Sequence, residues 1–374
     1  MKTIGITTTV PIEVLLAAGY RPVDLNNVFI SDPDPERLVN IAERVGFPIN
    51  CCTWIKGIYG VVMEQGIDTV LCVTTGDCSN TIMLMEVLKL KGLNVIPFAY
   101  PHHPDALSMQ NCLESLAETL GTTVETAVDI RKELEKARRL AHKLDELTWN
   151  GNASGWENHF WLVSTSDFMG DLDEYERQLG QLLTECHERD EREGRNMLRL
   201  AYIGVPPVFA RDLYHFLESQ GARVVFNEIQ RQFAMPRYVN RRNSLAQQYS
   251  SYTYPYSIFD RLNDILPQLR ERQVDAVIHY VQAFCHRGIG DIIFRQRIDL
   301  PILTLEGNND YTLTAHLKTR IEAFLDMVRR RNIITGGARK SQAPFFEIAG
   351  LVPTSVESSE FTSAMPGNRH SPPL

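Results

Sequence analysis

The chemistry of this 374-residue chain would rest on seven cysteines and a few carboxylates and histidines. Cys51-Cys52 opens the run Cys-Cys-Thr-Trp-Ile-Lys-Gly-Ile-Tyr-Gly, after a turn set by Pro48. Cys78 lies in Thr-Thr-Gly-Asp-Cys-Ser-Asn, and Cys285 in Val-Gln-Ala-Phe-Cys-His-Arg-Gly. All three places read as loop-to-helix junctions, where the amino end of a helix favours a thiolate. Cys72 falls inside an apolar strand, and Cys112 and Cys186 fall in helical patterns, where thiols commonly pack as small apolar groups. Spacing alone leaves the junction thiols open to that same reading. The absence of Cys-x-x-Cys argues against a zinc ribbon or a ferredoxin-type ligand run.

Other candidates are fewer. Glu13, Glu228 and Glu306 are carboxylates that could act as acids or bases, and each could equally be a capping or ion-paired group. His286 and Arg287 adjoin Cys285 and could tune charge there. His102-His103 follows a strand, but adjacent ring side chains point apart, which disfavours joint metal ligation. Gly57-Ile58-Tyr59-Gly60 and Gly336-Gly337 match neither a dinucleotide fingerprint nor a P-loop. Gly-x-Ser-x-Gly is also missing, which removes the commonest hydrolase elbow.

These residues need a frame to hold them. Runs at Lys2–Thr8, Thr69–Val73 and Asn94–Ala99 read as strands, spaced by helices at Pro11–Ala18, Pro35–Val45, Thr53–Gln65 and Asn80–Lys91. Strands alternating with helices mark βαβ units and a parallel sheet. Between Pro104 and Pro206 no proline occurs and charges are dense. Val124, Val128, Leu134, Ala137, Ala141, Leu144 and Leu147 recur at helical spacing, and Asp171–Arg195 reads as another helix. Alternation then resumes: strands Leu198–Gly204, Arg223–Asn227, Ala276–Val281 and Ile302–Leu305, with helices Val208–Ser219, Ile258–Arg272, Ile289–Arg297 and Leu313–Arg331. Gln230–Tyr256 reads as a long polar and aromatic loop, whose tyrosines (Tyr249, Tyr252, Tyr254, Tyr256) suit a cleft cover or a subunit contact. The expected fold is therefore two Rossmann-like or flavodoxin-like parallel-sheet α/β domains, at residues 1–120 and 197–331. A helical insertion at 121–196 separates them, and a Gly-, Pro- and Ser-rich tail at 332–374 reads as loosely ordered.

Asp and Glu total 46 against 38 Lys and Arg, so the net charge is −8 with histidine neutral. Nucleic-acid phosphates demand a basic face, so a nucleic-acid partner is not expected. No apolar run is long enough to cross a membrane, and no secretory signal is apparent. An odd cysteine count without such a signal suits a reducing cytoplasm, where clustered thiols mean metal or redox chemistry more often than disulfides.

An internal echo ties thiols to frame. Asp68 begins one strand and Asp275 another, and each is followed ten residues later by a cysteine, Cys78 and Cys285. Both cysteines would sit just past the carboxyl end of a parallel strand, where open α/β sheets place their ligands. Two such units facing each other would bring the pair to a common cleft.

Several segments resemble the 2-hydroxyacyl-CoA dehydratase family, the radical iron–sulfur proteins that include benzoyl-CoA reductase subunits. Val10-Pro11-Ile12-Glu13 through Ala17-Ala18-Gly19-Tyr20-Arg21-Pro22-Val23 resembles the family's opening. Cys52 through Ile55-Lys56 to Gly60 resembles its first cysteine motif, and Gln282-Ala283-Phe284-Cys285-His286 its last. Pro301-Ile302-Leu303-Thr304-Leu305-Glu306 and Thr319-Arg320-Ile321-Glu322-Ala323-Phe324 resemble its terminal strand and helix. The middle motif departs: the family reads Thr-Cys-Asp, whereas Thr75-Gly76-Asp77-Cys78 stands here.

The resemblance implies a 4Fe–4S cluster with one open iron, held by Cys52, Cys78 and Cys285, with Cys51 and Cys72 as alternate ligands. It implies a lyase of anaerobic metabolism: one-electron reduction of an acyl-CoA thioester to a ketyl radical, followed by loss of water, or a related reduction. Glu13, Glu306 and His286 are its candidate catalytic groups. Partners implied are the acyl-CoA substrate, an ATP-dependent iron–sulfur activator, and a related subunit in a homo- or heterodimer. Two other functions fit the same frame: an electron-transfer or cluster-carrying subunit that needs a homologous partner, and a metal-free small-molecule binding protein.

Overall fold

Apolar strands covered on both faces organise the molecule, as parallel sheets require. The computed structural model describes residues 1–189, 197–237 and 244–334. Four strands, β1 (Lys2–Ile6), β2 (Tyr20–Asp24), β3 (Thr69–Thr75) and β4 (Asn94–Ala99), form a parallel sheet in the order β2-β1-β3-β4. Four more, β5 (Leu198–Ile203), β6 (Ala222–Asn227), β7 (Ala276–Gln282) and β8 (Ile302–Gly307), form a second sheet in the order β6-β5-β7-β8. The two orders are the same, so β3 and β7 occupy equivalent places. Register pairs Ile6 with Leu71 in the first sheet and Val277 with Ile302 in the second. The fold class is α/β with two parallel sheets, as the sequence pattern leads one to expect.

Alternation along each strand feeds two cores per sheet. In β3, Leu71 and Val73 enter one core while Val70 and Cys72 enter another. In β7, Ile278 and Tyr280 face one side and Val277 the other. Helices Leu25–Ser31, Pro35–Arg44, Thr53–Gln65 and Asn80–Leu90 cover one face of the first sheet. Its other face packs on helices Ala106–Leu120, Val124–Asn150, Gly155–Val163 and Leu172–His187. The long helix Val124–Asn150 starts at a Thr123 cap, whose hydroxyl accepts the Thr126 amide, and ends at Gly151 in a left-handed C-cap.

Three elements differ from the sequence expectation. β2 carries Pro22, which hides it from a strand pattern, yet β2 is an edge strand where a missing amide is tolerated. The expected loop Gln230–Tyr256 instead contains helices Glu228–Phe233 and Leu245–Ser250, the second opened by a Ser244–Gln247 capping box. Its four tyrosines are all buried, so they are not a free subunit contact, and Tyr254 lines the cavity described below as a cleft cover would. Helix Leu172–His187 ends before Arg195, and residues 190–196 lie outside the described residues. Of the expected tail, residues 335–374 also lie outside them.

Candidate functional site

The loops after the carboxyl ends of β1, β2, β3, β5 and β7 converge on one cavity of about 510 Å³. In each sheet the first and third strands are neighbours whose connections leave in opposite directions, the place where α/β sheets open a ligand crevice. Thr7, Asp24, Asp77 and Cys78 come from the first sheet's loops. Val205 and Gln282, Cys285, His286 and Arg287 come from the second's. Helix Gly155–Val163 closes the wall with Trp156, His159 and Phe160.

Cys52, Cys78 and Cys285 all line this cavity. Each sulfur lies where a helix begins. Cys52 caps helix Thr53–Gln65 without a side-chain cap hydrogen bond, and the Trp54 and Ile55 amides at that helix end favour its thiolate. Cys78 precedes helix Asn80–Leu90 and meets the Asn80 and Thr81 amides. Cys285 caps the short 3-10 turn His286–Gly290 and meets the Arg287 amide. The three are near enough to disfavour one another's ionisation. Burial is the larger effect: it pushes Cys52 up to about 12 and Cys78 up to about 11, and raises Cys285. Metal-free, the three thiols stay protonated at neutral pH.

The two cysteine loops turn through left-handed residues. Gly76 has φ 95°, and a Cβ there would meet Pro255 at 2.7 Å and Tyr100 at 2.9 Å, so the β3 loop needs glycine. Phe284, directly before Cys285, takes φ 64°, a conformation that costs a bulky residue energy and must be held by its surroundings. Arg287 stands two residues after Cys285. Its guanidinium donates to the Gly76 carbonyl at 2.9 Å and the Tyr254 carbonyl at 3.2 Å, and lies 4.4 Å above the Tyr254 ring. One side chain thus ties the β3 loop to the β7 loop. Tyr254 also donates to Asp77 at 2.5 Å. Burial raises the Asp77 carboxyl, and the Arg287 charge partly opposes that rise.

The other residues singled out in the sequence fall in different places. Cys72 is enclosed within β3 and Cys51 is half-buried, with the Lys56 charge acting on it; neither lines the cavity. His286 lines the cavity with an exposed ring, and burial lowers its pKa. Glu306 points outward on β8 and does not line it. Glu13 is fully buried and also lies outside the lining. It accepts from Arg138 at 2.7 Å, Gln248 at 2.9 Å and Tyr249 at 2.6 Å. Glu228 is likewise committed, to a two-pronged contact with Arg261 at 2.7 and 2.8 Å. These carboxylates pin helices together.

Several lining groups escaped the sequence reading. Asp24 ends β2, and its backbone amide donates to Asp167 at 2.8 Å. Burial, then the Asp24 charge, pushes Asp167 up to about 7. His159 is buried between the Tyr214 hydroxyl at 3.1 Å and Gln230 at 3.2 Å, and burial drives its pKa down to about 3. Trp156 stacks on His159, ring centres 5.6 Å apart. The Ser154–Glu157 capping box that starts their helix was readable as Ser-x-x-Glu.

Fold and site together define a class: paired parallel-sheet α/β proteins that hold three thiols in the crevice between their sheets. The chain belongs to the family of the 2-hydroxyglutaryl-CoA dehydratase D-component, whose sequence profile matches residues 7–328. It is thus a dehydratase-type component. No curated protein matches it. Among solved structures it is similar to a periplasmic heme-binding protein, BhuT, in complex with two hemes. That likeness has 11% identity over 87% of this chain and 98% of the other, with a TM-score of 0.21, too slight to bear on function. Among the described residues no helix is long and apolar enough to cross a membrane.

Proposed function

We propose that this chain is a 2-hydroxyacyl-CoA dehydratase-type component that holds a 4Fe–4S cluster on Cys52, Cys78 and Cys285 and receives an acyl-CoA thioester in the adjoining cavity. The observation that carries this reading is the convergence of these three thiols, from distant parts of the chain, on one cavity. The donor set suits the cluster. Among the described residues no three His, Cys, Asp or Glu side chains stand close enough to hold a single metal ion. Cys thiolates are the usual ligands of iron–sulfur clusters. The helix amino ends beside them favour the sulfurs as thiolates once protons leave, so loading should release protons.

A cluster with three protein ligands supplies one electron at a time and an open iron that can polarise a thioester carbonyl. The chain's own residues do the rest. Arg287 keeps the two cysteine loops together and sets a positive charge beside them. Trp156, Phe160 and Phe209 give the crevice an apolar wall that excludes water. Asp24 lines the cavity, its carboxyl raised chiefly by burial and accepting from the Asn26 amide at 2.9 Å. Working partners in this reading are an ATP-dependent iron–sulfur activator and a second related subunit, in the cytoplasm.

The test is anaerobic purification with iron and sulfide analysis. Cys52→Ser, Cys78→Ser and Cys285→Ser should each lose most of the iron, whereas Cys112→Ser and Cys186→Ser should retain it. Unchanged iron in Cys285→Ser would sink the ligand set. Loss in Cys72→Ser with retention in Cys78→Ser would move the middle ligand. Colourless protein from every preparation would return the chain to a metal-free binding role.

A further inference from the structure

A run of buried polar side chains drawn from five elements ends at the cavity. Asp145 and Thr148 lie on helix Val124–Asn150, Asn158 and His159 on helix Gly155–Val163, and Tyr214 on helix Ala210–Ser219. Asn227 ends β6, and Arg272 follows helix Ile258–Glu271. All seven are buried. The direction of each bond follows from the anchor. Arg272 grips Asp145 through two nitrogens, at 2.8 and 2.5 Å, and keeps it ionised against the opposing effect of burial. A carboxylate only accepts, so Asn158 turns its NH2 group to Asp145 at 3.1 Å and spends the second hydrogen on Thr148 at 3.2 Å. Its oxygen then accepts from the Asn227 amide at 2.7 Å, and the Asn227 oxygen accepts the Tyr214 hydroxyl hydrogen at 2.5 Å. Burial keeps Tyr214 protonated, and its single hydrogen is thereby used. Toward His159 Nδ1, 3.1 Å away, the Tyr214 oxygen can only accept.

The ring therefore carries its proton on Nδ1. The Gln230 amide meets the same nitrogen at 3.2 Å, but it can turn either end to the ring and so does not choose. Burial holds the ring neutral, driving its pKa down to about 3, so Nε2 keeps a lone pair. Trp156 stacks on the ring, planes 19° apart, and restrains its tilt. Nε2 has no hydrogen-bond partner among the described residues and is not one of their sealed polar atoms, so it opens on the cavity that His159 lines.

We infer that His159 is a hydrogen-bond acceptor of this site, aimed at an O–H or N–H group of the bound molecule, and that Asp145, Asn158, Asn227 and Tyr214 are positioning residues that set its tautomer. The ligand part rests on the reading that an acyl-CoA occupies the cavity; the tautomer part stands on the protein alone. An acceptor so placed is satisfied only by a donor, because a ligand carbonyl or carboxylate there would face a lone pair. In an acyl-CoA that donor is either a hydroxyl on the acyl group or an amide N–H of the pantetheine arm.

The experiment is NMR of the full chain, purified anaerobically and 15N-labelled in its 10 histidine rings, with His159→Gln to assign the signal. Protonated and unprotonated ring nitrogens differ widely in 15N shift. Expected in the free protein is a protonated Nδ1 and an unprotonated Nε2. Tyr214→Phe keeps the ring's shape and removes the deciding oxygen, leaving only Gln230, so both tautomers should appear. A protonated Nε2 in the unaltered chain, or an unchanged tautomer in Tyr214→Phe, would overturn the relay. Lactoyl-CoA and propanoyl-CoA, which differ by one hydroxyl, are then added without activator or reductant, so nothing turns over. The Nε2 signal should move on binding: with both thioesters if the donor is a pantetheine amide, with lactoyl-CoA alone if it is the hydroxyl. His159→Phe should weaken whichever thioester moves the signal by about tenfold, the size of one lost hydrogen bond. Binding of both by calorimetry with Nε2 unmoved would overturn the acceptor role and leave the acyl-CoA reading intact. If neither thioester binds, the acyl-CoA reading falls, and the tautomer measurement still decides the relay.

Discussion

Replacing Glu13 by Gln separates a structural carboxylate from a catalytic one. Glu13 and Arg138 are almost fully buried and 2.7 Å apart, and the carboxylate also accepts from Gln248 and Tyr249. The pair joins helices Ile12–Ala17 and Val124–Asn150, and the two acceptor bonds add helix Leu245–Ser250. Burial alone would raise the Glu13 carboxyl, but Arg138 and these hydrogen bonds outweigh it and hold the group below the ordinary carboxylate range. Gln fits the same space and keeps hydrogen-bonding capacity, but it removes the negative charge that faces the buried Arg138 guanidinium at 2.7 Å. Removing one partner of such a pair costs about 3–5 kcal/mol, a large share of the roughly 5–15 kcal/mol that typically separates folded from unfolded protein. The pH dependence has a definite sign. A depressed folded-state pKa gives stabilisation that is present above the unfolded value and lost as pH falls through the folded one. The variant's deficit should therefore be full at pH 7 and shrink below about pH 4. Urea unfolding across pH measures it, with acyl-CoA binding of the folded fraction as the second readout. A deficit under about 1 kcal/mol, or lost ligand binding at unchanged stability, would refute the structural role and return Glu13 to the chemistry.

Other perturbations read other parts of the frame. Gly60→Ala would drive a Cβ to 2.3 Å from the Leu38 carbonyl oxygen, where helices Pro35–Arg44 and Thr53–Gln65 touch. It should cost about 1–3 kcal/mol in urea unfolding and loosen the helix that begins at Cys52. Arg287→Gln removes a positive charge beside the thiol loops, so if the proposed cluster is held there its potential in redox titration should move to more negative values. Thermal stability should also fall, by about 2 kcal/mol or more from the lost cation–π contact and hydrogen bonds. Asp167, raised to about 7, keeps its proton in the fold after the unfolded chain has lost it. Stability should therefore decline with pH from about 4 to about 7. Asp167→Asn should flatten that decline, and an unchanged slope in urea unfolding would show that another group titrates.

Much of this architecture was legible in the order of residues. Alternating strand and helix runs named the parallel α/β class, because buried strands between two helical layers must be apolar along their whole length. The echo of Asp68…Cys78 and Asp275…Cys285 fell on β3 and β7, equivalent strands of two sheets with the same order. That periodicity is local, so the chain order alone carries it. Pro22 concealed β2, since only its edge position makes a proline harmless there. The tyrosines at 249–256 suited a cleft cover or a subunit contact; all four are buried, and Tyr254 lines the cavity. Composition cannot tell an interior aromatic from an interface one. The same limit applied to the carboxylates: Glu13, Glu228 and Glu306 are one residue type in sequence. Arg138 and Arg261, more than thirty residues from their partners, turn two of them into buried struts, while the third faces water. Asp24, Asp77, His159 and Trp156 joined the cavity only through tertiary packing. Charge, desolvation and wall chemistry depend on neighbours distant in the chain, and those neighbours exist only once the two sheets have folded against the helices between them.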